Sequence, residues 1–160
     1  MSPGTVPQPT EMESAAHALV GRLVFAFSRL DANLALLAAG KNGTNSRAAS
    51  IAKLEDTSFK DKLTSVMPAI RREYLGNPQC LAEWEAWLAS ADELRTLRND
   101  LVHGRWGVNE MRRTVQNVVG VPGSPNQRET NYTLEELQAK VGVADLVARE
   151  FGRLRKRWPT

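Results

Sequence analysis

A chain of 160 residues with 42% apolar and 24% charged residues is one domain's worth, long enough to bury a core without covalent staples. Cys80 is the single cysteine, which excludes an intrachain disulfide and a cysteine-clustered zinc site and fits a reducing, cytoplasmic location. The formal net charge of +3 permits an acidic partner without requiring one.

Met1 to Pro9 carries Pro3, Pro7 and Pro9 and lacks the basic start and apolar core of a signal peptide, so 1–9 reads as a disordered leader and 10–160 as a single domain. Thr10 followed by Glu13 has the form of a capping box and predicts the start of a long helix. Leu19, Leu23, Phe27, Leu30, Leu34 and Leu37 recur at helical spacing and form one apolar stripe, ending before Gly40. Ala15 to Ala39 is the richest apolar run, but His17, Arg22, Arg29 and Asp31 interrupt it, so no membrane span is expected.

Lys41 to Asp56 opens with Asn42-Gly43 and Asn45-Ser46 and reads as a loop with a short helical turn around Ala48 to Leu54. Ser58 caps a second helix through Phe59, Leu63, Val66, Ile70 and Tyr74, with Pro68 expected to bend it and Gly76-Asn77-Pro78 to stop it. A third helix spans about Gln79 to His103, with Leu81, Trp84, Leu88, Ala91 and Leu94 inward and Gly104 as a left-handed cap. From 105 to 132 the pattern changes to alternation around Val115, Asn117 and Val119, with Gly and Pro breaks, and predicts a β-hairpin or irregular insert. Thr133 with Glu136 caps a fourth helix, whose inward stripe is read as Leu137, Val141, Ala144, Ala148, Phe151 and Leu154. The fold class is therefore all-α, an up-and-down four-helix bundle carrying one insert.

No phosphate-cradling glycine loop, dinucleotide fingerprint or paired histidines at metal-ligand spacing occurs, so no cofactor or metal is expected. The chemistry concentrates instead in Arg98-Asn99-Asp100-Leu101-Val102-His103-Gly104, at the end of the third helix. Asn99 and His103 are four apart and share a helical face, where an amide can orient an imidazole. Arg98 falls on the apolar line of Trp87, Ala91, Leu94 and Leu101, where a leucine would normally pack, so its guanidinium needs a carboxylate or a phosphate. Asp92, Glu93 and Asp100 are the acidic candidates in the sequence. Arg98 and His103 diverge by about 140° around one helix, so two copies in a symmetric dimer would be needed to bring them into one cleft.

RNA carries its own nucleophile in the 2′-hydroxyl, leaving an enzyme to move protons and stabilise charge on phosphoryl oxygens; histidine and arginine suit those two tasks. Arg98, the polar Asn99 and His103 closing a helix resemble the arginine-x4-6-histidine motif of HEPN domains, and the order of helices is similar too. The resemblance implies a helical bundle that dimerises and acts as a metal-independent endoribonuclease of the kind found in toxin–antitoxin, phage-defence or RNA-processing systems. Arg98 would then bind phosphate, Asn99 orient the ring and His103 handle the proton. RNA, a second copy of the chain and an antitoxin protein are the partners this implies. The alternative is a non-catalytic HEPN-like module that binds RNA, a nucleotide or a protein; a helical adaptor with a fortuitous motif is a third reading.

Around the motif, Arg105 and Trp106 can reach a bound nucleotide, or Trp106 can pack over the end of the third helix. Arg153, Arg155, Lys156 and Arg157, with Arg149 set against Glu150, are either a solvated helix end or an attractor for an RNA backbone. His17 takes no role, and Trp84 with Trp87 reads as core.

Overall fold

The computed structural model describes residues 10–41, 52, 54 and 56–159. Its elements are α1 (Glu11–Lys41), α2 (Phe59–Glu73), α3 (Pro78–His103), β1 (Arg105–Asn109), β2 (Thr114–Val119), β3 (Arg128–Tyr132) and α4 (Leu134–Arg157). The molecule is mostly helical, and 105–132 is more than a hairpin: three antiparallel strands form a sheet in the order β1-β2-β3. The loop and short helical turn expected for 41–56 fall almost wholly outside the described residues; Leu54 belongs to the core.

Three of the four described helices start at the caps expected for them, and the third starts at Pro78 behind Asn77, which the sequence marks only as a stop for the second. The Glu13 amide donates to Thr10 Oγ1, the Asp61 amide to Ser58 Oγ, and Thr133 with Glu136 makes the full reciprocal box. Asn77 caps α3 by accepting from the Cys80 amide, and Pro78 takes the first helical position, where its missing N–H is harmless. Pro68 lies inside α2 on its exposed side.

The stripe of α1 is buried from Leu23 through Phe27, Leu30, Leu34 and Leu37, and meets Leu63, Val66, Ile70, Trp84, Ala91 and Leu94 in one core. On α3, Cys80 and Trp87 are central, whereas Leu81 and Leu88 lie at the margin. On α4 the stripe runs through Val147 rather than Ala148, which is exposed. Both positions continue a helical period from Ala144, and the larger side chain faces inward because it removes more apolar area from water.

Paired contacts fix the helix directions. Phe27 and Asp31 of α1 meet Phe59 and Lys62 of α2, so these two run parallel. Arg71 reaches Glu85 at one end of α2 while Phe59 and Lys60 share a cleft with Arg95 and Arg98 at the other, making α3 antiparallel to α2. Trp87 bonds to Val147 and Glu83 to Arg153, so α4 is antiparallel to α3. Three helices thus run one way and α3 the other, instead of the alternation of an up-and-down bundle. The segment between α1 and α2 is long enough to carry the chain back to the starting end, and hydrophobic period encodes which face is buried, not direction.

By length and composition alone, Glu11–Gly40 is apolar enough to cross a membrane, contrary to the sequence reading that its charges exclude this. Of that apolar window 39% is buried inside the molecule, and Phe25 is an exposed apolar residue on the same helix.

The sheet rests one face on the end of α3. Val108, Val115 and Tyr132 form one cross-strand row on that face, and Trp106, Asn117 and Thr130 form the next. Gly120, at φ +98°, permits the turn after β2, where a Cβ would also meet the Asn126 carbonyl oxygen at 2.8 Å.

Candidate nucleic-acid site at the end of the third helix

Trp87, Ala91, Leu94 and Leu101 are all buried, so the helical period does aim Arg98 at the bundle from the same line. Its guanidinium carbon lies 5.3 Å from the centroid of the Phe27 ring on α1, in cation–π geometry. Nη1 donates to Asn99 Oδ1 at 3.1 Å, whereas Nε is shut off from solvent and has no acceptor.

Of the expected carboxylate partners, Asp92 and Asp100 are engaged elsewhere and Glu93 is exposed and not in ion-pair contact with Arg98; the nearby Asp31 is engaged as well. Asp92 accepts from Arg95 Nε at 2.6 Å, Asp100 accepts from Arg128 at 3.1 and 3.2 Å, and Asp31 accepts from Lys62 Nζ at 2.7 Å. The Arg95 hydrogen bond is the main reason the Asp92 carboxyl is held below its ordinary range; burial opposes it, while the charges of Arg95 and Lys60 assist. Among the described residues, Arg98 has no carboxylate partner. It lines a cleft of about 430 Å³ with Phe27, Asp31, Ser58, Phe59, Lys60, Arg95 and Asn99.

His103 is the last residue of α3 and is exposed, outside the lining of that cleft. Asn99 gives its oxygen to Arg98, so the structure does not show it orienting the imidazole of its own chain. A single chain therefore holds Arg98 and Asn99 together and keeps His103 apart, as the helical angle requires.

What fixes the end of α3 is not a left-handed glycine. Gly104 has φ −71° and ψ 154°, an extended conformation. Its lack of a side chain serves another purpose: a Cβ there would lie 2.1 Å from the nearer terminal atom of the Asn117 amide. Asn117, on β2, is only 2% exposed. With its amide assigned so that both ends are satisfied, Nδ2 donates to the Asp100 carbonyl at 3.1 Å and Oδ1 accepts from Trp106 Nε1 at 3.3 Å. Trp106 Nε1 also donates to the Leu101 carbonyl at 2.8 Å. Trp106 thus satisfies the Leu101 carbonyl that the helix end leaves open, Asn117 adds a second donor to the Asp100 carbonyl beside the Gly104 amide, and together they hold the backbone from which His103 projects.

Trp106 is accordingly packed over the end of α3, one of the two roles its position allowed. It is partly buried and lines a second, mainly apolar cavity of about 430 Å³ with His17, Val20, Val24, Leu101 and Val102. Arg105 is exposed and donates to the Gly120 carbonyl at 2.9 Å.

The basic C-terminal residues lie at the other end of α3. Arg153 bonds to Glu150 and reaches Glu83 at 3.3 Å; Arg157 stands 3.5 Å from Glu83 and over the Trp158 ring; Arg155 lies over Phe151. Lys156 is exposed. Glu83 and Arg98 are separated by roughly 22 Å along α3 at 1.5 Å per residue, so this cluster does not extend the motif's surface.

Sequence reasoning missed Phe27, Phe59, Lys60 and Arg95 as neighbours of Arg98, and Asn117 as the residue that holds the helix end. Only Arg95 shares a helix with the motif; no local spacing signals the others. Among the described residues, no group of three or more His, Cys, Asp and Glu side chains is placed to hold a metal ion.

Fold and site together define a mainly helical domain in which a small antiparallel sheet clamps the end of a helix bearing an exposed histidine and an arginine that has no carboxylate partner among the described residues. Comparison with protein-family models, curated proteins and solved structures finds no match to this chain.

Proposed function

We propose that the protein is a HEPN-like endoribonuclease that works without a metal, as a homodimer, with Arg98 and His103 brought together from two subunits. The observation carrying this reading is the state of Arg98: a cation on a core line, without a carboxylate partner among the described residues and with a buried N–H unused. Desolvating such a group is costly unless a ligand compensates, and a phosphate fits the guanidinium fork. His103, exposed on a backbone clamped by Asn117 and Trp106, is free to meet a substrate in a second subunit's cleft.

In the reaction, the 2′-oxygen attacks the adjacent phosphorus and the bond from phosphorus to the 5′-oxygen breaks. The products are a 2′,3′-cyclic phosphate and a 5′-hydroxyl. One imidazole accepts the 2′-hydroxyl proton, another donates to the leaving oxygen, and Arg98 stabilises charge on the non-bridging oxygens. A homodimer supplies both histidines.

Purified protein and its His103→Ala variant, incubated with mixed RNAs in EDTA, test the reading. Cleavage by the parent alone, with cyclic-phosphate ends, is expected; full activity in His103→Ala would overturn it. A second reading is a non-catalytic RNA- or nucleotide-binding module, favoured by the separation of Arg98 from His103 within one chain. Saturable RNA binding without cleavage products would support that reading.

A further inference from the structure

The cleft around Arg98 contains more than the motif supplies. Its charged lining is Asp31, Lys60, Arg95 and Arg98. Asp31 is neutralised by Lys62, whose side chain is nearly buried, and Arg95 is neutralised by Asp92. Lys60 and Arg98 remain, and among the described residues neither has a carboxylate in salt-bridge contact. The Ser58 hydroxyl is already engaged, donating to the Asp61 carboxylate and accepting from the Asp61 amide, so anion contacts fall to those two cations. Phe27 and Phe59, 4.6 Å apart between ring centroids, form an apolar wall that lowers the local dielectric and holds the guanidinium over one ring.

We infer that the cleft between α1, α2 and α3 is a phosphate-binding subsite complete within one chain, in which the Arg98 guanidinium and the Lys60 ammonium grip the non-bridging oxygens of a single phosphate and the buried Arg98 Nε–H reports on that contact. This deepens the reading above by adding Lys60 and by requiring no second subunit for binding. The phosphate is either a diester of an RNA backbone or a terminal phosphomonoester; both present the same oxyanion. Arg98 supplies the fixed donor, preorganised by Phe27 and Asn99, and Lys60 supplies a mobile point charge at the mouth.

The test follows the Arg98 Nε–H resonance by ¹H–¹⁵N NMR while uncleavable 2′-O-methyl RNA or inorganic phosphate is added. Saturable movement of that resonance is expected, with affinity reduced roughly two- to fivefold in Lys60→Gln and unchanged in Lys156→Gln. A tighter response to the RNA assigns the diester; a tighter response to phosphate assigns the monoester. No movement with either ligand, or equal affinity in Lys60→Gln and the parent, would overturn the inference. Absence of RNA cleavage beside a responding Arg98 would remove the nuclease reading and leave the subsite standing.

Discussion

At the N-terminal end of α3, Glu83 receives the Trp158 indole N–H and the guanidinium groups of Arg153 and Arg157, and neighbouring Glu85 pairs with Arg71. At its C-terminal end, Arg98 has a ring face and an amide oxygen but, among the described residues, no carboxylate, and His103 stands exposed beside a helix end secured from the sheet. In the richer run of basic residues Arg153 and Arg157 are paired with carboxylates and Arg155 and Lys156 lie exposed, whereas the sparser set holds an arginine inside a cleft. Cation density along a sequence is thus a poor guide to a nucleic-acid surface until pairing is known, because a matched carboxylate cancels the field that would attract a phosphate.

The largest effect expected from this contrast is on catalysis. His103→Ala should lower RNA cleavage by about 10²-fold or more without changing the far-ultraviolet circular dichroism spectrum, whereas Arg153→Ala should cleave like the parent. Loss of cleavage in a well-folded Arg153→Ala protein would erase the distinction between the two ends.

Next is the clamp on α3. Asn117→Ala removes the second donor to the Asp100 carbonyl and the second acceptor for Trp106 Nε1 and leaves a small buried void, and should reduce unfolding free energy by about 1–2 kcal/mol, read from urea denaturation. Gly104→Ala should cost a similar amount, since the new methyl group displaces the Asn117 amide from two hydrogen bonds. Adding Gly104→Ala to Asn117→Ala should then cost little, whereas additive losses would show that the two positions do not act through one contact.

The smallest effect concerns acid stability at the opposite end. The Trp158 hydrogen bond is the main reason the Glu83 carboxyl is held below its ordinary value of 4.5; burial, the next largest effect, opposes it, and the charges of Arg157 and Arg153 assist. A depressed folded value means that its stabilisation is present above pH 4.5 and is lost as pH falls through the folded value. Thermal melts across that acid range should show a shallower decline for Glu83→Gln than for the parent, and the parent's decline for His103→Ala.

The helices were legible because their signals are local: Thr10, Ser58 and Thr133 mark starts, and recurring leucines mark buried faces. Periodicity could not choose between Val147 and Ala148, nor show that α1 and α2 run parallel. Arg98 was conspicuous because it interrupts an apolar line, and the divergence of His103 follows from helix geometry. The rest of the site comes from elsewhere in the chain. Lys60 and Phe59 arrive on α2, Phe27 on α1, and Asn117 from a strand, so only tertiary packing unites them with the motif. Gly104 was noticed as a helix terminator, but its reason is steric and lies in β2. The sheet was half visible, since β3, Arg-Glu-Thr-Asn-Tyr, has almost wholly exposed polar side chains and lacks the apolar alternation that marks β2.

The central claim is that Arg98 and His103, which diverge in one chain, act together across two. Arg98→Ala and His103→Ala proteins, each shown to be folded, should each lose cleavage by about 10²-fold or more when alone. Unfolded and refolded together so that mixed dimers form, they should regain a substantial part of the parent's activity, because one subunit contributes the arginine and the other the histidine. A mixture in which mixed dimers are demonstrated and cleavage stays at the level of the separate variants would contradict the shared site.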